Sequence, residues 1–90
     1  MLGLKTIPKR NPEVIGKITD EEAILVMPQK GQVKVLNEVG AYIWDLIDGE
    51  RDVQQIIDRT CSQFDVDQIT AEKDTLQFLS ELSQRDIIKI

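Results

Sequence analysis

The stretch Gln32-Val33-Lys34-Val35-Leu36-Asn37-Glu38-Val39-Gly40-Ala41-Tyr42-Ile43-Trp44 contains the change of period that decides the fold. Its first five residues alternate valine, lysine, valine. That pattern predicts an extended strand with one face buried and the other wet. From Asn37 the period turns helical. Asn37 is suited to cap a helix, and Glu38 falls in the first turn, where the helix dipole favours an acid. Val39, Ile43, Leu46 and Ile47 recur at three- to four-residue spacing, flanked by Tyr42 and Trp44. The helix is expected to stop near Asp48-Gly49, because glycine accepts the left-handed cap conformation.

Upstream, two more extended runs precede this stretch. Residues 14–19 (VIGKIT) are β-branched and end at Asp20-Glu21, a polar pair short enough for a tight turn. Residues 22–27 (EAILVM) are continuously apolar, as suits a central strand or one covered on both faces. Pro28-Gln29-Lys30-Gly31 then reads as a turn, with proline fixing φ at the first central position and glycine tolerating positive φ. Three antiparallel strands joined by short turns follow from this. Residues 1–12 contain Gly3, Pro8, Asn11 and Pro12, which break any period, and are read as an N-terminal arm before a domain of residues 13–90. Whether the arm lies on the body is left open by its sequence.

Downstream, Asp52 caps a second helix with the stripe Val53, Ile56, Ile57, Cys61 and Phe64. Asp67 caps a third, from about Gln68 to Arg85. Its inward stripe is expected to be Ile69, Leu76, Leu79 and Leu82, with Thr75 and Phe78 about a quarter-turn round. Residues 87–90 (IIKI) form a short extended end, able to pack on the sheet. The predicted fold class is therefore α+β: a three-stranded antiparallel sheet followed by three helices, winged-helix-like in its helical part.

Composition narrows the function. With 90 residues the chain is one small domain, and 41% hydrophobic with 30% charged residues is an ordinary globular mix. There is no histidine and a single cysteine, Cys61. This removes the commonest general base, the Ser-His and Cys-His nucleophile systems, an internal disulfide and a cysteine-based zinc site. Cys61 lies on an apolar stripe and reads as a structural thiol. The carboxylates fall at caps and turns, and no glycine-rich phosphate loop occurs. No enzyme activity, cofactor or metal is expected. The longest apolar run has five residues, 23–27, so no segment is predicted to span a membrane, and residues 1–20 lack the apolar stretch of a signal peptide, which predicts a cytoplasmic chain.

Charge bears on the partner. Residues 1–12 hold three basic side chains and no acid, whereas residues 13–90 hold eight basic side chains against 16 acidic ones. The third helix, the element that a winged-helix DNA binder would use for recognition, carries Lys73 and Arg85 against Glu72, Asp74 and Glu81. Such a surface repels phosphate, so nucleic-acid binding is the alternative reading and not the leading one. The third strand is an outer strand of the meander. Its backbone groups offer a template for an extended peptide, with the following helices as a second wall. Lys30 and Lys34 support the opposite reading, since charges commonly blunt such an edge. Periodicity alone leaves the two level.

Residues 36–44 (LNEVGAYIW) resemble the L-N-x-x-G/A-x-x-I-W signature of the PqqD family. Residues 46–56 (LIDGERDVQQI) are similar to its L-x-D-G-x-x-T-x-x-E-I segment, with Asp52 in place of the usual threonine and Gln55 in place of the usual glutamate. Residues 64–66 (FDV) and 74–79 (DTLQFL) also resemble it, and the match runs from about Glu13 to Ile90. The resemblance implies a non-catalytic peptide chaperone, similar to the recognition elements of ribosomally made, post-translationally modified peptides. Such proteins hold the leader of a precursor peptide and present it to a modifying enzyme: a radical S-adenosylmethionine enzyme, as in pyrroloquinoline quinone synthesis, or a leader peptidase in lasso-peptide pathways. Carried onto this chain, the leader adds to the strand Gln32, Val33, Lys34, Val35 and Leu36, and the facing helix offers Asp74, Thr75, Gln77, Phe78 and Glu81. A strand-exchanged homodimer is also permitted by the exposed edge and the hinge-like Pro-Gly turn.

Overall fold

The computed structural model describes residues 3–20 and 22–90. The chain runs β1 (Lys9–Arg10), β2 (Ile15–Ile18), β3 (Ala23–Met27), β4 (Gln32–Leu36), α1 (Glu38–Leu46), α2 (Val53–Phe64), α3 (Gln68–Gln84) and β5 (Ile88–Lys89). Strands β2, β3 and β4 form an antiparallel meander with β3 in the centre. Glu21, half of the turn expected between β2 and β3, lies outside the described residues. The β3–β4 connection is a single 3-10 turn over Pro28–Lys30, closed by Gly31 at φ 61°.

Each helix begins where its cap was expected. The Asn37 side chain accepts from Gly40 N at 2.9 Å. Asp67 accepts from Thr70 N at 3.1 Å. At α2 Asp52 accepts from Gln55 N at 2.8 Å while Gln55 Oε1 accepts from Asp52 N at 2.9 Å, a reciprocal capping box. Glutamine at residue 55 thus supplies the acceptor that glutamate would. The next orphan amides of α2 are met by the N-terminal segment: Val53 N donates to Thr6 O and Gln54 N to Leu4 O, both at 2.9 Å.

Residues 3–12 lie along the body. Pro8 is fully buried. Arg10 sits 4.6 Å from the centroid of the Trp44 ring and donates from Nη2 to Trp44 O at 2.6 Å, binding a cation to the negative end of α1. The C-terminal piece does not join the three-stranded sheet. Instead β5 pairs with β1, Lys9 opposite Lys89 and Arg10 opposite Ile88, and Ile87 and Ile88 are buried.

The core joins Ala23, Leu25 and Met27 of the central strand with Ile43, Trp44, Ile56, Ile57, Leu79 and Leu82 of the helices. Gly16 lets the Trp44 indole approach β2, for a Cβ there would lie 2.7 Å from Trp44 Nε1. The third helix corrects the expected stripe. Ile69 is 78% exposed and Leu76 only half-buried, while Ala71 and Thr75 are buried. The buried face is therefore Ala71, Thr75, Leu79 and Leu82, rotated from the expected one, and α2 is the main element that α3 packs against. Cys61 is half-buried, and its thiol donates to Val66 O at 2.8 Å.

Candidate functional site: an open strand edge beside the third helix

Among the described residues β4 pairs only with β3, so its far edge is open. Which backbone groups line that edge follows from the ladder phase. Thr19 N donates to Glu22 O at 2.8 Å, closing the β2–β3 hairpin. Antiparallel pairs alternate between bonded and non-bonded, so Ile24 and Val26 turn their amides to β2 and Ala23, Leu25 and Met27 turn theirs to β4. The partners of these three are Leu36, Lys34 and Gln32. The peptide groups of Val33 and Val35 are left pointing out of the sheet.

The side chains alternate as expected, and the lysine face is the covered one. Val33 and Val35 are 62% and 60% exposed, and it is Lys34 that lies half-buried on the helix side with Leu36. The register explains which face is covered: Lys34 is opposite Leu25 and Leu36 is opposite Ala23, both on the core face. Lysine is tolerated there because Glu81 of α3 meets it, with Nζ 2.9 Å from Oε1. On the outer face, Val33 and Val35 continue two cross-strand rows, Ile15–Val26–Val33 and Lys17–Ile24–Val35.

The second wall is α3. At ~100° per residue, Asp74, Phe78, Glu81 and Arg85 share one stripe at the margin of its buried face. Phe78 is half-buried near the C-terminal end of β4, where Gly40 keeps α1 close: a Cβ on Gly40 would lie 3.3 Å from Leu36 Cβ and 3.4 Å from Phe78 Cε1. Towards the other end, Lys30 Nζ donates to Arg85 O at 3.1 Å and pairs with Asp86 Oδ2 at 3.3 Å. The cleft therefore has an apolar end at Leu36 and Phe78 and a charged end at Lys34, Glu81 and Arg85. The Lys34 ammonium, by its hydrogen bond and then its charge, holds the Glu81 carboxyl below its usual 4.5, with Arg85 adding to the effect.

The residues expected to contact a peptide divide accordingly. Gln32, Val33 and Val35 are exposed on the edge strand, Lys34 and Leu36 turn to the cleft, and Phe78 and Glu81 stand on its helical wall. Asp74 is exposed on the same stripe, and Gln77 lies about a quarter-turn outside it. Thr75 is fully buried, and its hydroxyl has no hydrogen-bond partner, so its side chain belongs to the core and not to the cleft. Sequence reasoning passed over Arg85 and Gly40. The i, i+4 spacing of Glu81 and Arg85 was the signal for the first. No group of three or more metal-ligating side chains gathers among the described residues, and none of the described helices is long and apolar enough to cross a membrane.

A three-stranded meander followed by three helices, with its last strand open beside the third helix, defines a small α+β class of domain. The chain belongs to the PqqD family: the family profile described as coenzyme PQQ synthesis protein D matches residues 22–88. Three solved structures share the fold. TbiB1 in complex with the TbiA(beta) leader peptide is 30% identical, with TM-score 0.83, covering 90% of this chain and 94% of that one. Lasso peptide synthetase B1 complexed with the leader peptide is 19% identical, with TM-score 0.83 over 94% of this chain and 100% of that one. The PqqD truncation of Methylobacterium extorquens PqqCD is a functional, stand-alone recognition element for ribosomally synthesized and post-translationally modified peptides. It is 21% identical, with TM-score 0.80, over 100% of this chain and 96% of that one. No curated protein matches the sequence.

Proposed function

We propose that this protein is a non-catalytic recognition domain that binds the leader of a ribosomally made precursor peptide and presents it to a modifying enzyme. The leader adds as a strand to β4, bonding through the outward peptide groups of Val33 and Val35. Its inward side chains enter the cleft formed by Lys34, Leu36, Phe78 and Glu81, with Asp74 and Gln77 at the rim. The observation that carries this reading is the open β4 edge with α3 as a second wall. Backbone bonds set register, and the cleft selects side chains. Family membership and the leader-bound relatives support it. The enzyme served is a radical S-adenosylmethionine enzyme or a leader peptidase, acting in the cytoplasm.

Calorimetric titration with the leader encoded beside the gene tests the proposal. One saturable site per chain is expected. Absence of heat and of competition at high peptide concentration refutes it.

A further inference from the structure

The cleft also specifies what kind of strand it takes. This inference rests on the leader-binding reading and concerns the side chains of the bound segment. An added strand places three consecutive residues opposite Val35, Lys34 and Val33. Directly opposed residues put their side chains on the same face of the sheet. The two residues facing Val35 and Val33 therefore project outward, at the ends of the rows Lys17–Ile24–Val35 and Ile15–Val26–Val33. These row ends are apolar and more than half exposed. An outward residue there covers valine on one side, which favours a β-branched or aromatic partner.

The middle residue projects inward against Lys34. The peptide groups of Lys34 face β3, so the pair it makes with an added strand is a non-bonded one, the type that brings side chains closest. Three donors sit on the Lys34 ammonium and one is used, by Glu81 at 2.9 Å. Glu81 already has two cations, Lys34 and Arg85, the latter at 4.0 Å. Lys34 and Arg85 thus share Glu81, while Asp74 of the same stripe lies beyond Phe78 and Asp86 is taken by Lys30. Lys34 is paired by a single carboxylate that it shares with Arg85, so further burial under an added strand favours a second acceptor for its remaining donors. The next inward position, opposite Leu36, meets Phe78 and is apolar.

We infer that this cleft selects a leader segment in which an acidic residue, pointing inward at Lys34, is flanked on both sides by outward-pointing β-branched or aromatic residues, with an apolar residue opposite Leu36. The charged end thus reads the acid and the outer face reads its neighbours.

A peptide display library randomised over one strand length, selected against the full chain, tests this. Enrichment of Asp or Glu between two β-branched or aromatic residues is expected. Replacing the acid by Lys in an enriched peptide is expected to weaken binding about tenfold or more. In Lys34→Glu the preference at that position is expected to swing to Lys or Arg, with amide shifts confirming that the variant folds. Enriched peptides with a basic central residue, polar flanks, or a preference unmoved by Lys34→Glu overturn the inference while leaving strand addition in place. A library that yields no enrichment, together with no heat from the native leader, overturns the leader-binding reading and this inference with it.

Discussion

The sheet has two open edges, and they are built differently. On β2 all four residues, Ile15 to Ile18, are exposed, and no ion pair among the described residues ties that strand to a helix. On β4 the lysine turns under the sheet and reaches α3. An edge strand alone is only a row of peptide groups, an aggregation hazard as much as a binding site. A helix fixed beside it adds side-chain selection and excludes other strands. Each edge is also backed by one tightly packed glycine. Gly16 leaves room for Trp44 behind β2, and Gly40 leaves room for Leu36 and Phe78 behind β4.

The comparison breaks most sharply under proline. Val35 uses its amide outside the β3–β4 ladder, so Val35→Pro is expected to remove a leader bond and leave the sheet intact. Leader affinity should fall by about tenfold or more in fluorescence anisotropy. Ile18→Pro, its counterpart on β2, should bind the leader like the parent chain. Equal losses in the two variants would mean that the edges are not distinct.

The glycines come next. Gly16→Ala places a methyl group 2.7 Å from the Trp44 indole, inside any normal contact. It is expected to cost about 1–3 kcal/mol in urea denaturation, as overpacking does, with leader affinity of the folded protein unchanged. Gly40→Ala meets Leu36 and Phe78 at 3.3–3.4 Å, a looser fit. Its stability loss should be the smaller, and its effect should appear in leader affinity because Phe78 must shift.

Thr75 distinguishes the wall of the cleft from the core behind it. Thr75→Val removes a buried hydroxyl that has no partner. A gain of up to about 1 kcal/mol is expected, because an unpaired buried polar group is destabilising. Leader affinity should not change.

The smallest effect concerns the ion pair. Glu81 has its carboxyl held below 4.5, so the pair with Lys34 stabilises the fold above that value and is lost as pH falls through the lowered one. Glu81→Gln should therefore be slightly less stable than the parent near neutral pH. The two stability curves should converge in acid. Curves that stay parallel to low pH would show that the pair does not contribute.

Much of the fold was legible because its signals are local. Asn37, Asp52 and Asp67 announce three helix starts within a few residues, and Pro28 with Gly31 announces a turn. What escaped the sequence depends on distant partners. Alternation shows that Val33 and Val35 share a face, but not which face meets the helices. That is settled by pairing with Ala23 and Leu25 and by a glutamate 47 residues away, which lets Lys34 lie inside. The buried stripe of α3 was misjudged at Ile69 for a related reason. Near a helix start, propensity and period do not say how far the neighbouring helix extends. The partner of β5 was equally hidden, since β1 comes from the other end of the chain. For the proposed cleft, the outer position of the third strand follows from the meander, and the facing helix is what the family resemblance implies; the wall stripe with Arg85 requires the rotation of α3 about its axis.

The most direct test of strand addition at β4 is an amide NMR titration of labelled protein with the leader peptide. The account predicts the largest shifts and exchange protection at Val33 and Val35, with further shifts at Phe78 and Glu81 and little change along Ile15–Ile18. Shifts centred on β2, or none at saturating peptide, would contradict it.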